Sequence, residues 1–176
     1  MSRRTTVPSR PLHPLPLSST LAYGFAAGIV GITVMTLGEK LEQAFTSRPN
    51  SYIPGHTIRK LLGLAPRPDS QMTAINHLGH WGFGLFSALG RALMSAYGIR
   101  GPFADFMFTG VRLGIDQTAE NVTGVGALPW WVLPVGEEEA GANGCRTWPV
   151  DEQVLDLWHK AVFSLVTGYL CDRWIQ

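Results

Sequence analysis

Hydrophobic residues dominate four long stretches of this chain, and the first of them carries no charge. Residues 20–38 run for nineteen positions without Asp, Glu, Lys or Arg. An uncharged stretch of this length matches the roughly 20 apolar residues that cross a bilayer as a helix. It is longer than the apolar region of a secretory signal, and no clean small-residue cleavage site follows it. We therefore predict a retained membrane helix that extends to about residue 43.

The next three stretches are apolar on most faces and polar on one. They predict helices near residues 72–98, 102–121 and 151–174. Each contains charged side chains, so hydropathy alone favours only the first stretch as a membrane span. A bundle accommodates the others, because its helices turn their polar faces toward one another and their apolar faces toward lipid.

The helix predicted at 102–121 has polar side chains at spacings of four, three, four and four, which places them on one face. Its other faces are rich in Phe, Leu, Ile and Val. An apolar helix must turn such a stripe toward a partner or a water-filled interior, and ionisable groups in that setting are functional candidates. The stripe comprises Asp105, Thr109, Arg112, Asp116 and Glu120.

Polar groups recur on the other three predicted helices, which favours a shared polar interior over an isolated charge. We expect one cavity around the stripe, with the histidines inside it and the acidic ends of the first and fourth helices at its mouth. The contributing residues are Glu39 on the first helix, His77, His80 and Arg91 on the second, and Asp156 and His159 on the fourth.

The expected fold is all-α, a four-helix integral membrane bundle with a polar interior, forming a single domain over residues 20–176. Residues 1–19 are basic and proline-rich without apolar periodicity, which predicts an extended, disordered tail. Small residues spaced four apart let membrane helices approach closely, and they support the bundle. They occur as Gly24 with Gly28, Ala27 with Gly31, and Gly110 with Gly114.

Composition supports a membrane setting and narrows the partners. Charged residues make up 15% of the chain, against about 25% in soluble domains. The net charge of +1 comes from interspersed basic and acidic residues, which offers no footprint for nucleic acid. Expected partners are a lipophilic small molecule and membrane lipid, with homo-oligomerisation left open. The expected location is integral to a membrane, and to the endomembranes if the source is eukaryotic.

The stripe suits acid/base catalysis without a cofactor or metal. A carboxyl group kept protonated by burial can donate to an ether or epoxide oxygen, while a carboxylate held ionised by arginine activates water or an internal hydroxyl. In this hypothesis Arg112 holds Asp116 ionised as the base, and Asp105 or Glu120 is the acid. The protein would then be a hydrolase or cyclase that opens a lipophilic epoxide. Proton relay is expected from His80 and His159, and substrate-binding or supporting roles from Glu39, His77, Arg91, Thr109 and Asp156.

Three other interpretations fit the same residues. Buried charges can form a structural network of ion pairs that fixes helix register without catalysis, with Arg112 paired to Asp116 or Asp105 and Lys160 to Asp156. Histidines and carboxylates one turn apart can bind metal, although the Glu-x-x-His of di-iron bundles does not occur in the sequence. A proton- or ion-conducting oligomer is the remaining alternative.

Four segments carry a resemblance to known proteins. They are GEKLEQ at 38–43, NHLGHWGFG at 76–84, FMFTGVRLGIDQTAENVTGVG at 106–126 and LDLWHKAVF at 155–163. In these segments the chain resembles small multi-span integral membrane proteins of bacteria and fungi, over residues 21–174. The resemblance implies the membrane-bundle architecture, and it brings no established catalytic residues with it.

Overall fold

A computed structural model describes residues 15–125 and 150–175, and every regular element in that part of the chain is helical. The long helices lie within a few residues of their predicted bounds, so the all-α prediction is confirmed. Helix α1 begins inside the predicted tail, of which residues 1–14 lie outside the described part. The helices are α1 Leu17–Thr46, α2 Ile53–Leu61, α3 Thr73–Ala96, α4 Pro102–Val122 and α5 Val150–Trp174, with a 3-10 turn at Asp69–Gln71 before α3.

A tight reversal between α3 and α4 depends on two glycines. Gly98 and Gly101 have φ of +82° and +83°, a region that side chains with a Cβ disfavour. Pro102 occupies the first turn of α4, where its fixed φ favours helix initiation and its missing N–H costs nothing. The chain therefore reverses direction between α3 and α4 within a few residues.

Small residues bring α1 close to its two neighbours. A Cβ added at Gly24 would lie 2.5 Å from the Cβ of Ala92, and one at Gly28 would lie 2.6 Å from the Cβ of Ala88, both on α3. Gly31 is equally crowded, against α5. The predicted close approach of α1 is therefore observed in this structure.

The same prediction is wrong for α4. A Cβ added at Gly110 or Gly114 would meet no atom of the described residues within 4 Å. Helix α4 instead turns its ionisable stripe toward α5, because the charges need buried partners and the glycines do not. The glycine that permits this contact is Gly168 on α5, whose Cα lies directly against the carboxylate of Asp105.

Helix α2 fills a gap that the long helices leave. Helix α4 packs mainly along α5 and contacts α3 only sparsely, whereas α2 packs along α3 and also reaches α4. Its Lys60 Nζ donates to the carbonyl oxygens of Thr123 (2.7 Å) and Gly124 (3.1 Å), at the end of α4. Helix α2 thus closes one side of the bundle.

Burial is inverted relative to an ordinary soluble domain. The interior holds charged side chains that are almost completely covered, including Arg91 at 0% exposure. Large apolar side chains are exposed on all five helices, for example Phe25, Leu61, Phe86, Phe106 and Tyr169. The buried apolar residues form two small clusters. One contains Ile32, Met35, Ala88, Phe108 and Phe163, and the other contains Ala27, Ala92, Cys171 and Ile175.

Within the described residues, α1 is the one helix long and apolar enough to cross a membrane. About a third of its most apolar 18-residue window is buried in the protein. Helices α3, α4 and α5 fall short of the same criterion, and all three bury charged side chains. Four membrane spans are therefore not established by hydropathy.

Replacing Gly168 by alanine will destabilise the bundle, because the new methyl group would overlap the Asp105 carboxylate. We expect a loss of about 1–3 kcal/mol, as for other overpacked interiors. Gly110→Ala is the matched control, since its methyl group meets open space and gains up to about 1 kcal/mol of helix propensity. Denaturant unfolding measures both stabilities. Equal stabilities for the two variants would contradict the packing of α4 on α5.

Candidate functional site

A cavity of about 270 Å³ lies at the end of the bundle where α1 and α4 finish and α3 and α5 begin. Ligand pockets run from roughly 300 to 1,000 Å³, so this one suits a compact ligand. Its walls are mixed, with Met35, Ile53 and Phe83 supplying apolar surface. Seven of the residues singled out from the sequence line it: Glu39, His80, Arg112, Asp116, Glu120, Asp156 and His159.

Asp116 occupies the centre of the charged wall, between two cations. Arg112 Nη1 donates to Asp116 Oδ1 at 2.7 Å, and Lys160 Nζ lies 3.4 Å from Asp116 Oδ2. Lys160 also donates to Asp156 Oδ1 at 2.5 Å. Arg112, Asp116 and Lys160 are each more than nine-tenths buried. Such charges are tolerable only when paired, so this group ties α4 to α5 as well as facing the cavity.

Arg112 is only partly used by this ion pair. Its Nε is buried and has no hydrogen-bond partner among the described residues. The guanidinium carbon lies 5.8 Å from the ring centroid of Phe163, within the range of a cation–π contact. Arg112 is therefore held from two sides and retains hydrogen-bonding capacity.

Glu120 lies one helical turn beyond Asp116 and differs from it. No side-chain hydrogen bond or ion pair to Glu120 is found within residues 15–125 and 150–175, and its side chain is half-buried. Glu39, across the cavity on α1, accepts a hydrogen bond from Gln43 Nε2 at 3.2 Å. On α4 the site thus has one carboxylate with two cationic partners, Asp116, and one carboxyl group without a bonded cation in the described chain, Glu120.

The two histidines of the cavity come from facing helices. His80 Nε2 lies 3.1 Å from Thr36 Oγ1, a hydrogen bond that fixes the ring against α1. His159 lines the opposite wall from α5. His77 is exposed and does not line the cavity. The pair of histidines expected on one stripe of α3 is therefore divided, and only His80 faces the site.

A rim and a wall of the cavity were not predicted from the sequence. Arg48, in the loop after α1, pairs with Glu42 at 2.8 Å, and this hydrogen bond raises the pKa of the Arg48 guanidinium. Thr57 enters from α2, which is fixed to α3 by a hydrogen bond from Gly55 N–H to Asn76 Oδ1 at 2.9 Å. Hydrophobic periodicity predicts helices but not how the loops between them fold, so Arg48 and Thr57 could not be assigned to the site. Lys160 was named only as the expected ion-pair partner of Asp156, four residues before it.

Asp105, at the other end of the α4 stripe, belongs to a separate group of side chains from three helices. This group is here called the far cluster and consists of Arg91, Ser95, Asp105 and Asp172. Arg91 Nε donates to Asp105 Oδ1 at 3.0 Å, and Arg91 Nη2 donates to Asp172 Oδ2 at 3.0 Å. Ser95 Oγ donates to Asp172 Oδ1 at 2.6 Å. The Gly101 N–H donates to Asp172 Oδ2 at 2.7 Å. The cluster joins α3, the α3–α4 turn, α4 and α5.

The structure therefore does not bring Asp105 or Arg91 to the cavity, contrary to the sequence-based expectation. Asp105 and Glu120 are fifteen residues apart on one helix, which corresponds to about 22 Å along its axis at 1.5 Å per residue. Thr109 also lies outside the cavity lining, and its hydroxyl donates to the carbonyl oxygen of Asp105 at 2.9 Å. Sharing a helix face does not mean sharing a site.

In the part of the chain that the structure describes, no three His, Cys, Asp or Glu side chains come together as metal ligands. The metal-binding alternative thus gains no support from the geometry. Comparison of the chain with models of protein families, with curated proteins and with solved structures finds no match.

Proposed function

We propose that the four long helices form an integral membrane bundle. In water, the exposed Phe, Leu, Val, Ile and Tyr side chains of every helix would be an aggregation hazard. In lipid the same surface is favourable, and the charges are then expected in the interior, paired with one another. A buried helix of a soluble protein would be mostly covered, whereas the apolar window of α1 is about one-third covered.

We further propose that the cavity catalyses acid/base chemistry on a compact lipophilic molecule, most concretely the opening of an epoxide. The observation that carries this proposal is that two neighbouring carboxyl groups on α4 have different environments. Asp116 has two cationic partners, and Glu120, one turn away, has no bonded cation in the described chain. Unlike environments for neighbouring carboxyl groups are what a base and an acid require.

Each proton in the proposed reaction has a donor and an acceptor. Glu120 donates its proton to the epoxide oxygen as the C–O bond breaks. Asp116 takes a proton from water as the water oxygen bonds to the ring carbon, and the product is a vicinal diol. Transfer of that proton from Asp116 to Glu120, directly or through His80 or His159, restores the site. With an internal hydroxyl in place of water, the product is a cyclic ether bearing an alcohol.

A structural ion-pair network explains the far cluster better than it explains the cavity. In the far cluster, both carboxylates and Arg91 are hydrogen-bonded within the fold. In the cavity, Arg112 Nε lacks a partner among the described residues. A buried donor without a partner is costly, and in this cavity a bound ligand would supply the partner.

The membrane proposal predicts that the expressed chain stays in the membrane pellet after alkaline carbonate washing and dissolves only in detergent. The physical reason is that the apolar outer surface of all five helices must remain covered. A peripheral protein from the same cells, released by the wash, serves as the control. Recovery in the detergent-free supernatant would favour a soluble helical bundle instead.

Asp116→Asn will abolish epoxide turnover, because the amide keeps the size of the carboxylate and cannot accept the proton from water. It also removes the charge that Arg112 and Lys160 share and so lowers stability, and turnover is therefore compared per folded protein, measured by size-exclusion chromatography. Membranes containing the wild type, Asp116→Asn or Asp69→Asn are incubated with a panel of lipophilic epoxides, and products are followed by mass. Asp69 is exposed and does not line the cavity, so Asp69→Asn should match the wild type. Wild-type membranes that convert none of the epoxides would contradict the catalytic proposal.

A further inference from the structure

Two hydrogen-bonding groups in the cavity wall have no partner among the described residues. They are Thr57 Oγ1 on α2 and Arg112 Nε on α4, and both atoms are shielded from solvent. Both residues line the same cavity, and Thr57 is 1% exposed. Native proteins leave few buried polar atoms unsatisfied. Arg59 Nε, Ser164 Oγ and Thr167 Oγ1 are also unpaired within the described residues but lie outside the cavity lining, so it is the position of Thr57 and Arg112 in the cavity wall that points to a bound partner.

The chemistry of the two groups limits that partner. An arginine Nε–H can only donate, and a threonine hydroxyl can donate as well as accept. A ligand that satisfies both therefore presents an acceptor atom. An ammonium ion or a pure hydrocarbon offers none.

The charge of the cavity limits the partner further. Its lining contains five carboxyl groups and three Lys or Arg side chains: Glu39, Asp116, Glu120, Glu152 and Asp156 against Arg48, Arg112 and Lys160. A second anion beside so many carboxyl groups is disfavoured by like-charge repulsion. The acceptor that fits is a neutral oxygen, and the apolar surface of Met35, Ile53 and Phe83 suits the rest of a lipophilic molecule.

We infer that the cavity binds a neutral ether, epoxide or carbonyl oxygen of a compact lipophilic ligand between the Arg112 guanidinium and the Thr57 hydroxyl. This inference rests on the proposed function and deepens it, because it adds Thr57 as a specificity-determining residue on a helix that the sequence did not connect with the site. Thr57 recognises the oxygen, and Asp116 and Glu120 act on the bonds next to it.

Binding distinguishes an oxygen site from a merely apolar pocket. The full-length protein in detergent is titrated with 1,2-epoxyoctane and with octane, two chains that differ by one oxygen, and the rise in unfolding temperature gives the affinity of each. The wild type should prefer the epoxide. Thr57→Val keeps the shape and removes the hydroxyl, so the epoxide should bind about fivefold or more weakly, the loss expected for one hydrogen bond, with octane unchanged.

Two controls make the result specific. Thr118→Val carries the same substitution at an exposed position of α4 outside the cavity lining, and it should behave as the wild type. Thr57→Ser keeps a hydroxyl and should retain the preference for the epoxide. If Thr57→Val does not fold, Thr57→Ala compared with Thr57→Ser answers the same question.

Three results would overturn the inference. A wild type that binds octane and the epoxide equally has no oxygen site, and water then satisfies the two groups. A Thr57→Val variant that keeps the wild-type preference for the epoxide over octane would show that the Thr57 hydroxyl does not bind the oxygen. Diol formation with unchanged KM in Thr57→Val would sink this inference and leave the proposed catalysis standing. Conversely, a Thr57-dependent preference without any diol would sink the catalysis and leave the oxygen site standing.

Discussion

The rest of the structure depends on how the ionisable stripe of α4 is buried. Asp105, Arg112 and Asp116 are almost completely buried, so each needs a partner inside the bundle. Arg112 and Asp116 meet Lys160 of α5 near one end, and Asp105 meets Arg91 of α3 near the other. Removing one member of such a pair costs about 3–5 kcal/mol. These pairs therefore fix which face of α4 points inward and its register along α5.

The two ends of the bundle use the same chemistry differently. At the far cluster the turn before α4 supplies a backbone N–H, and the carboxylate of Asp172 is enclosed by donors. At the cavity α4 lies away from α3, and α2 fills part of the gap without filling the space within. The ion pairs there are incomplete, with Arg112 Nε unpartnered in the described chain. The complete pairing at the far cluster accounts for stability, and the incomplete pairing at the cavity is the basis of the proposed ligand site.

Much of this was available from the sequence. Apolar periodicity predicted the four long helices, and polar spacing identified Arg112, Asp116 and Glu120 together. The division of the stripe was also readable, since the rise of a helix separates Asp105 from Glu120 by about 22 Å. The position of Thr57 in the cavity wall could not be predicted from the sequence, because it depends on how α2 packs on α3 through Asn76. Which glycines meet a neighbour was equally hidden: Gly24 and Gly110 sit in similar patterns, and only tertiary packing separates them.

The central claim is that the protein is apolar outside and charged inside because lipid surrounds it. Spin labels attached at positions 106 and 169, where exposed Phe106 and Tyr169 lie on α4 and α5, test this in lipid nanodiscs. Position 69 is the aqueous reference, since Asp69 lies in the exposed turn before α3. Labels at 106 and 169 should be relaxed more by oxygen than by a water-soluble nickel complex, with the reverse at 69. Nickel access at 106 and 169 equal to that at 69 would contradict the claim.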